Sequence, residues 1–573
     1  MTIQQHEELL KKVKDLQEEN IRLKKRKKYG LVWEDKPEIF DEQSKNALPV
    51  LIEKDGRFND TISDPDGDFN ILIEGDNYHS LSVLKYTHRN SVDLIYIDPP
   101  YNTGNNSWRY NNNYVEKDDA FRHSKWISFI NKRLRIAKDL LKEEGVMVFT
   151  IDDYEIATVT LLLNEIFGEE NWLNTVVVEN NPRGRTSNAF FATSHEYYLF
   201  YGKNYKKSNI ENLPLTREQK KAFNLKDEIS EYRLLPLRKS GADSDRKDRP
   251  KQFYPIFVNE KTLEISLKSK KGYKEILPID GTGRERAWKI GKDNCEKYIL
   301  SGDVVAKVKR DGSITLSQKD RIKSGRKAKT IWVDSKFDAS AHGSILINKI
   351  LGQRKTFDYP KSIWAVIQTL QTTIASKKDA LVLDFFAGSG TTGHAVLELN
   401  KEDDGNRKFI LCTNNENKIC EEVTYERIKR VSQGYKNKKG EDVEGLGGNL
   451  KYLKTDFIKI DNSIDDLKEK IVEASTQILC LKESTFKEKD IQEKIKIFEN
   501  NHQYTAILFD TFYLKEFTEV LNKLTDKKVA VYVFAYDKNF SKEEFHNLSQ
   551  AVEYTVEPIP EKLLETYQEI FNF

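Results

Sequence analysis

Short apolar runs that stop abruptly at polar or glycine/proline turns constrain this chain more than any other feature. Val92-Asp-Leu-Ile-Tyr-Ile97, Val146-Met-Val-Phe-Thr-Ile151 and Ala380-Leu-Val-Leu-Asp384 are near-continuous in apolar residues, with a helical stretch over 126–142 carrying Leu134, Leu140 and Leu141. A strand that is apolar on successive positions is buried on both faces, so helices must cover both sides of its sheet. The alternation of such runs with helical stretches predicts an α/β fold with a doubly wound, parallel sheet. Two further strands are expected at Phe69-Asn-Ile-Leu-Ile73, ending at Glu74-Gly-Asp76, and at Phe409-Ile-Leu-Cys412.

The 573 residues exceed what one core accommodates and leave room for three or four domains. The divisions expected are a helix or short coil over 1–29, a first catalytic part over 30–202, an inserted segment over 203–352, a second part over 353–461, and a C-terminal α/β domain over 462–573. In the first, Leu9, Leu16 and Leu23 repeat every seventh position with Val13 and Asn20 between them, the pattern of a two-stranded coil or of a charged solvent-exposed helix. In the last, Tyr504-Thr-Ala-Ile-Leu-Phe509 and Val529-Ala-Val-Tyr-Val-Phe534 read as strands around a helix, with no glycine-rich loop or polar cluster.

No apolar run approaches the ~18 residues of a membrane span, and the polar, acidic start is not a secretory signal. Four cysteines without a C-x-x-C pair argue against a disulfide framework or a cysteine zinc site and fit a reducing cytoplasm. A net charge of +2 settles no partner, so local clustering must decide. Over 203–352 the α/β rhythm weakens and basic runs appear: Arg238-Lys239, Arg246-Lys-Asp-Arg-Pro-Lys251 and Arg321-Ile-Lys-Ser-Gly-Arg-Lys-Ala-Lys329. Interleaved with Tyr232, Phe253, Tyr254 and Trp288, they suit a nucleic-acid surface, although solvated loops have the same composition.

Two constellations carry chemistry. Asp98-Pro99-Pro100-Tyr101 directly follows the strand that ends at Ile97, where open parallel sheets bind ligands. The prolines fix the chain direction and remove two N–H donors, leaving carbonyls free. An exocyclic amine offers two N–H bonds. The Asp98 carboxylate and the Pro99 carbonyl can accept both, and Tyr101 can stack on the attached ring. Asp98 is a weak base by its ordinary pKa, so orientation and charge stabilisation are its better roles.

The second constellation, Asp384-Phe385-Phe386-Ala387-Gly388-Ser389-Gly390-Thr391-Thr392, follows another strand and opens a helix. Its glycines allow close backbone approach, the helix start offers N–H groups to a carboxylate, and the missing lysine disfavours a nucleoside triphosphate. Glu416, past the next strand, is placed to hold ribose hydroxyls, and Asp76 to contact a ring of the same ligand or simply to cap the strand before it. His195 reads as a structural hydrogen-bonding residue. No histidine–cysteine cluster suggests a metal.

Together these two motifs resemble the DNA amino-methyltransferases. Their order, catalytic motif at 98 and cofactor motif at 384, resembles the beta class with its circularly permuted, Rossmann-like methyltransferase fold. Gly30-Leu-Val-Trp-Glu34, Thr103-Gly104, Ile166-Phe-Gly-Glu-Glu-Asn-Trp172 and Ser194-His-Glu-Tyr197 are similar to the modification subunit of type III restriction-modification systems.

The resemblance implies an S-adenosylmethionine pocket built by Asp76, Asp384, Phe385, Ala387, Gly388, Gly390, Thr391 and Glu416. It also implies a base flipped out of double-stranded DNA and held by Asp98, Pro99, Pro100 and Tyr101. It further implies N6 of adenine as the acceptor and a target-recognition domain in the inserted segment. The leucine seam with Asn20, and a C-terminal α/β region without a visible site, point to a homodimer that works with a separate helicase-nuclease restriction subunit. Cytosine N4 methylation, a solitary methyltransferase, and a subunit that mainly directs a nuclease are the alternatives, with methylation of a protein side-chain amide a more distant one that the central basic segment argues against.

Overall fold

In the computed structural model, residues 31–571 are described except 44–45, 55–67, 111–112, 117, 185–189, 324, 354–356, 461–466, 468–469, 473, 525, 536–542, 544, 546–547, 549–552 and 560. The N-terminal heptads lie outside the described residues. The chain divides into two compact units, one of Asn212–Ala328 and one of everything else.

In the larger unit the apolar runs become strands of one ten-stranded sheet. They are β1 (Ala47–Glu53), β2 (Phe69–Glu74), β3 (Val92–Ile97), β4 (Leu141–Ile151), β5 (Trp172–Val178), β6 (Glu196–Gly202), β7 (Ile331–Trp332), β8 (Leu381–Asp384), β9 (Lys408–Thr413) and β10 (Asn449–Lys459). Their order across the sheet is β1-β10-β2-β9-β8-β3-β4-β6-β5-β7. From β10 through β4 every neighbour pair is parallel, and β6 then runs antiparallel to β4. Strands far apart in the chain thus become neighbours: Val382 and Leu383 of β8 pair with Leu94 and Ile95 of β3.

Successive side chains of a strand point to opposite faces, and both faces are dry here. Ile95 and Ile97 face one core, built with Leu81 and Leu84 of α1 (Asn77–Thr87), Leu134 of α2 (Arg122–Leu140) and Leu163 of α3 (Ile156–Phe167). Leu94 and Tyr96 face the other, built with Val366 of α4 (Ile363–Thr373), Val396 of α5 (Thr391–Asp403) and Ile428 of α6 (Tyr425–Gln433). The expected doubly wound α/β sheet is therefore present. No helix among the described residues is long and apolar enough to cross a membrane.

The C-terminal region forms a five-stranded sheet of β11 (Lys487–Ile491), β12 (Ile495–Glu499), β13 (Gln503–Leu508), β14 (Lys528–Phe534) and β15 (Tyr554–Ile559), with α7 (Leu514–Leu521) between the parallel β13 and β14. It ends in α8 (Glu561–Phe571), whose Leu563, Leu564 and Tyr567 join the first core beside α1. The Tyr567 hydroxyl donates to the Pro49 carbonyl, and Lys85 of α1 pairs with Glu569 at 3.3 Å.

The smaller unit has a four-stranded antiparallel sheet of Leu225–Lys226, Glu231–Pro236, Ile314–Arg321 and Val304–Val308, and a three-stranded one around Ile256–Asn259. Two aromatics expected at a nucleic-acid surface are instead its core: Tyr254 and Trp288 are buried with Leu237, Ile256 and Leu316, and the Trp288 indole donates to the Tyr254 carbonyl at 2.8 Å. A unit this small needs its largest rings inside to bury enough apolar area. Several basic residues are also consumed internally. Arg321 pairs with Asp227 (2.8 Å) and Asp303 (2.7 Å), and Arg246 pairs with Glu285 (3.0 Å). Lys247, Lys251 and Lys323 are exposed. The unit is narrower than the expected 203–352, because Ile331 and Trp332 pair in parallel with Val177 and Val178 of the large sheet, where Trp332 is buried.

Candidate active site

Parallel strands bring their carboxyl ends to one edge, so the turns after β2, β9, β8 and β3 emerge side by side. Asp76, Glu416, Asp384 and Asp98 respectively lie in those turns. Ligands in open α/β sheets bind along this edge.

Asp98 follows the last residue of β3 and is half-buried. Its Oδ1 accepts from the Thr150 hydroxyl at 2.6 Å and lies 3.1 Å from the Lys361 ammonium. Burial pushes its carboxyl above the ordinary range, Lys361 pulls it back, and the charge of Glu196 pushes it up again. Pro100 is locked in place, since the buried Trp126 indole donates to its carbonyl at 2.7 Å. Among the described residues, no hydrogen bond is made to the carbonyl of Pro99. The turn therefore presents a carboxylate and a carbonyl with accepting capacity.

The Tyr101 hydroxyl donates to Glu196 at 3.1 Å and accepts from Lys361, whose ammonium sits 4.7 Å from the ring centroid. Thr150, Glu196 and Lys361 were not singled out from the sequence. Thr150 and Glu196 come from β4 and β6, whose antiparallel pairing sets Thr150 opposite Tyr198 and so brings the start of β6 beside Asp98. The stretch Ser194-His-Glu-Tyr197 was a signal, but His195 bonds the Tyr197 hydroxyl at 3.0 Å, and it is Glu196 that reaches the site.

Asp384, the last residue of β8, is buried; its carboxylate accepts from the Phe386 N–H at 2.9 Å and from the Thr392 hydroxyl at 2.5 Å. Burial pushes its carboxyl up to about 7, against these two hydrogen bonds and with the Asp98 charge adding. Gly390 caps α5 with a left-handed backbone, φ +73°, which a side chain would strain. The Thr424 hydroxyl holds the Gly388 carbonyl. Phe385 and Ala387 turn their side chains into the core, so only their backbone is placed to face a ligand. Phe386, not predicted, is the half-buried ring of the turn and packs on Phe129.

Beneath the turn, the fully buried Arg427 donates to the Ser389 carbonyl at 3.2 Å and to the Thr391 hydroxyl at 2.9 Å. Burial brings its pKa down to about 9. Among the described residues it has no carboxylate partner and its Nε has no hydrogen bond. A cation below a helix start, with glycines above, fits a ligand that carries a carboxylate.

Asp76 caps α1, accepting from the Tyr78 N–H at 2.7 Å, and pairs with Arg133 at 3.0 Å. Burial raises its carboxyl, but Arg133, His79 and the Tyr78 N–H together hold it below the ordinary range. Glu416 lies exposed beyond β9.

The fold and these two turns are those of an α/β enzyme with its ligand crevice on the carboxyl edge of the sheet. A family model described as DNA methylase, for N6 and N4 methyltransferases, matches residues 92–426, a span that includes both turns; the chain belongs to this family. The type II methyltransferase M.KpnI of Klebsiella pneumoniae is 37% identical over 343 residues, covering 60% of this chain and 79% of that protein. The EcoPI Mod subunit of Escherichia phage P1, a type III restriction-modification enzyme, is 34% identical over 373 residues, covering 60% of this chain but 57% of its own length. The solved M1.HpyAVI–SAM complex is 14% identical, covers 63% of this chain and 98% of its own, and has a TM-score of 0.29, a likeness too loose to bear on the site.

Proposed function

We propose that this chain transfers a methyl group from S-adenosylmethionine to the N6 amino group of adenine in a specific double-stranded DNA sequence. The observation that carries the reading is the pairing of β3 with β8, which sets the amine-accepting turn at Asp98 beside the glycine-rich turn at Asp384. When bound, S-adenosylmethionine supplies an electrophilic methyl group. Asp384, the backbone of Phe385 to Gly390, Thr391, Asp76 and Glu416 would hold it, with the Arg427 cation favouring its carboxylate end.

Asp98 and the Pro99 carbonyl take the two N–H bonds of the amine, which turns the nitrogen lone pair out of conjugation and toward the methyl group. Asp98 also stabilises the positive charge that develops on nitrogen. Tyr101 offers its ring to a base flipped out of the stack. The smaller unit, with Lys247, Lys251 and Lys323 exposed, is the DNA reader in this scheme, and its binding weakens as salt rises.

Adenine is favoured over cytosine by aspartate in the first position of the catalytic motif. Likeness to the EcoPI Mod subunit supports a type III modification subunit that works as a homodimer with a separate restriction chain. Likeness to M.KpnI over most of that protein supports the second reading, a methyltransferase acting without one.

Incubation with S-adenosylmethionine and unmethylated genomic DNA, followed by mass spectrometry of the nucleosides, tests the reaction. N6-methyladenine is expected. N4-methylcytosine would overturn the choice of base, and no methylated base would overturn the function. Affinity capture from native cells, read by mass spectrometry and light scattering, distinguishes a complex with a helicase-nuclease chain from a homodimer alone.

A further inference from the structure

We propose that Lys361 is a positioning residue for methyl transfer: its buried ammonium, clamped among Asp98, Glu196 and Tyr101, keeps Asp98 an oriented carboxylate for the incoming amine. This rests on the amino-methyltransferase reading above and adds a residue to it.

The geometry divides the Asp98 carboxylate into two ends. Oδ1 is occupied by the Thr150 hydroxyl at 2.6 Å and the Lys361 ammonium at 3.1 Å. Among the described residues, no hydrogen bond is made to Oδ2. One oxygen is anchored and the other is left to accept from a substrate. The same ammonium donates to Glu196 Oε2 and to the Tyr101 hydroxyl, so a single side chain fixes both the carboxylate and the ring of the motif.

Glu196 makes this clamp necessary. It is buried, and its Oε2 also accepts from Tyr101 at 3.1 Å and from Asn180 at 2.8 Å. Two carboxylates sharing a largely buried site press one of them to take up a proton. A protonated Asp98 would be in part a donor where the amine needs an acceptor. A cation between the two removes that pressure. The other titratable groups facing Asp98 do not supply it. Tyr96 and Tyr198 are buried phenols pushed well up in pKa, and Asp384 is a further acid. Lys361 stays charged because the two carboxylates outweigh its burial. Buried ion pairs are weak evidence for stability, which leaves the placement at Asp98 better explained by chemistry.

The experiment is a pH profile of single-turnover methyl transfer by the full-length chain on unmethylated genomic DNA, with Lys361→Met, Lys361→Arg and Glu196→Gln. In Lys361→Met the acid limb should move up by about one unit or more, the effect of losing a neighbouring cation, while S-adenosylmethionine affinity measured by calorimetry stays unchanged. Lys361→Arg should restore the limb, and Glu196→Gln should move it down. A Lys361→Met enzyme with the wild-type limb, whether fully active or uniformly slow, would overturn the proposal. If Lys361→Met fails to bind cofactor, Glu196→Gln decides, and an unmoved limb there overturns it equally. A wild-type chain that binds S-adenosylmethionine and methylates no base would overturn the function itself, a result distinct from any of these.

Discussion

The side-chain amide of Asn77 donates to the Phe385 carbonyl at 2.9 Å, fastening the turn after β2 to the glycine-rich turn after β8. Asn77 also accepts from Arg133, which in turn holds Asp76 and Glu38. Three elements of the cofactor edge thus meet at one buried amide.

Replacing Asn77 by Ala leaves the Phe385 carbonyl and the Arg133 Nε without this partner. A loss of about 1–3 kcal/mol in stability is expected for the unmet buried groups. S-adenosylmethionine affinity should fall about tenfold, equivalent to 1.4 kcal/mol. Thermal melting and calorimetry measure the two effects. Unchanged cofactor affinity would show that the fastening does not shape the pocket.

Asp384 makes stability depend on pH. Its carboxyl is pushed from 3.8 to about 7 by burial, so the folded chain holds this proton more tightly than the unfolded chain. The cost of ionising it is absent below the unfolded value, grows as pH rises from about 4 to about 7, and is complete above. Asp384→Asn removes that cost. The melting temperature of the variant minus that of the wild type should climb across this window and be flat on either side. A difference independent of pH would count against a raised carboxyl.

Asp98→Ala removes an acceptor for the amine and one partner of Lys361. Methyl transfer should fall roughly 10²–10³-fold, as when one preorganised charge-stabilising group is lost. Cofactor affinity should persist, because the Asp384 turn is untouched. Rate and binding are measured on the same preparation, and a variant that transfers normally would remove Asp98 from the chemistry.

Gly390→Val meets two obstacles. The backbone there is left-handed at φ +73°, and a new Cβ would lie 3.2 Å from Thr424 Cγ2. A left-handed conformation costs a residue with a side chain about 1–2 kcal/mol, more with branching at Cβ. The melting temperature and cofactor affinity should both drop, with Gly390→Ala intermediate. Equal behaviour of the two variants would show that the Cβ alone, and not the branching beyond it, sets the effect.

Tyr567 connects the tail to the cofactor edge. It is fully buried beside α1, which begins at Asn77. Tyr567→Ala is expected to cost about 3–5 kcal/mol, the range for a buried aromatic cut to alanine. Truncation before α8 should act likewise and lower cofactor affinity through α1. A truncated chain with wild-type melting would mean that α8 is dispensable to the core.

The strands and both motif turns were readable from the sequence because their determinants are contiguous. A strand buried on two faces is apolar at nearly every position, as in Val92–Ile97. Asp98 to Tyr101 and Asp384 to Thr392 each lie in one unbroken stretch that ends a strand. The smaller unit was harder to read, because basic and aromatic residues look alike whether they face DNA or each other. Only the folded chain shows that Trp288 and Tyr254 are core and that Arg321 belongs to Asp227 and Asp303. Thr150 and Lys361 were invisible for a related reason, and Glu196 showed only as part of the stretch Ser194 to Tyr197, with no role attached. Each is a single polar residue at a strand end or before a helix, and a lone lysine after Pro360 reads as surface. Strand register and the approach of the segment before α4 bring them to Asp98, and burial converts their charges into one coupled site. Sequence determines local chemistry over neighbouring residues; proximity between residues hundreds of positions apart, and the loss of water that makes their charges matter, exist only once the sheet has closed.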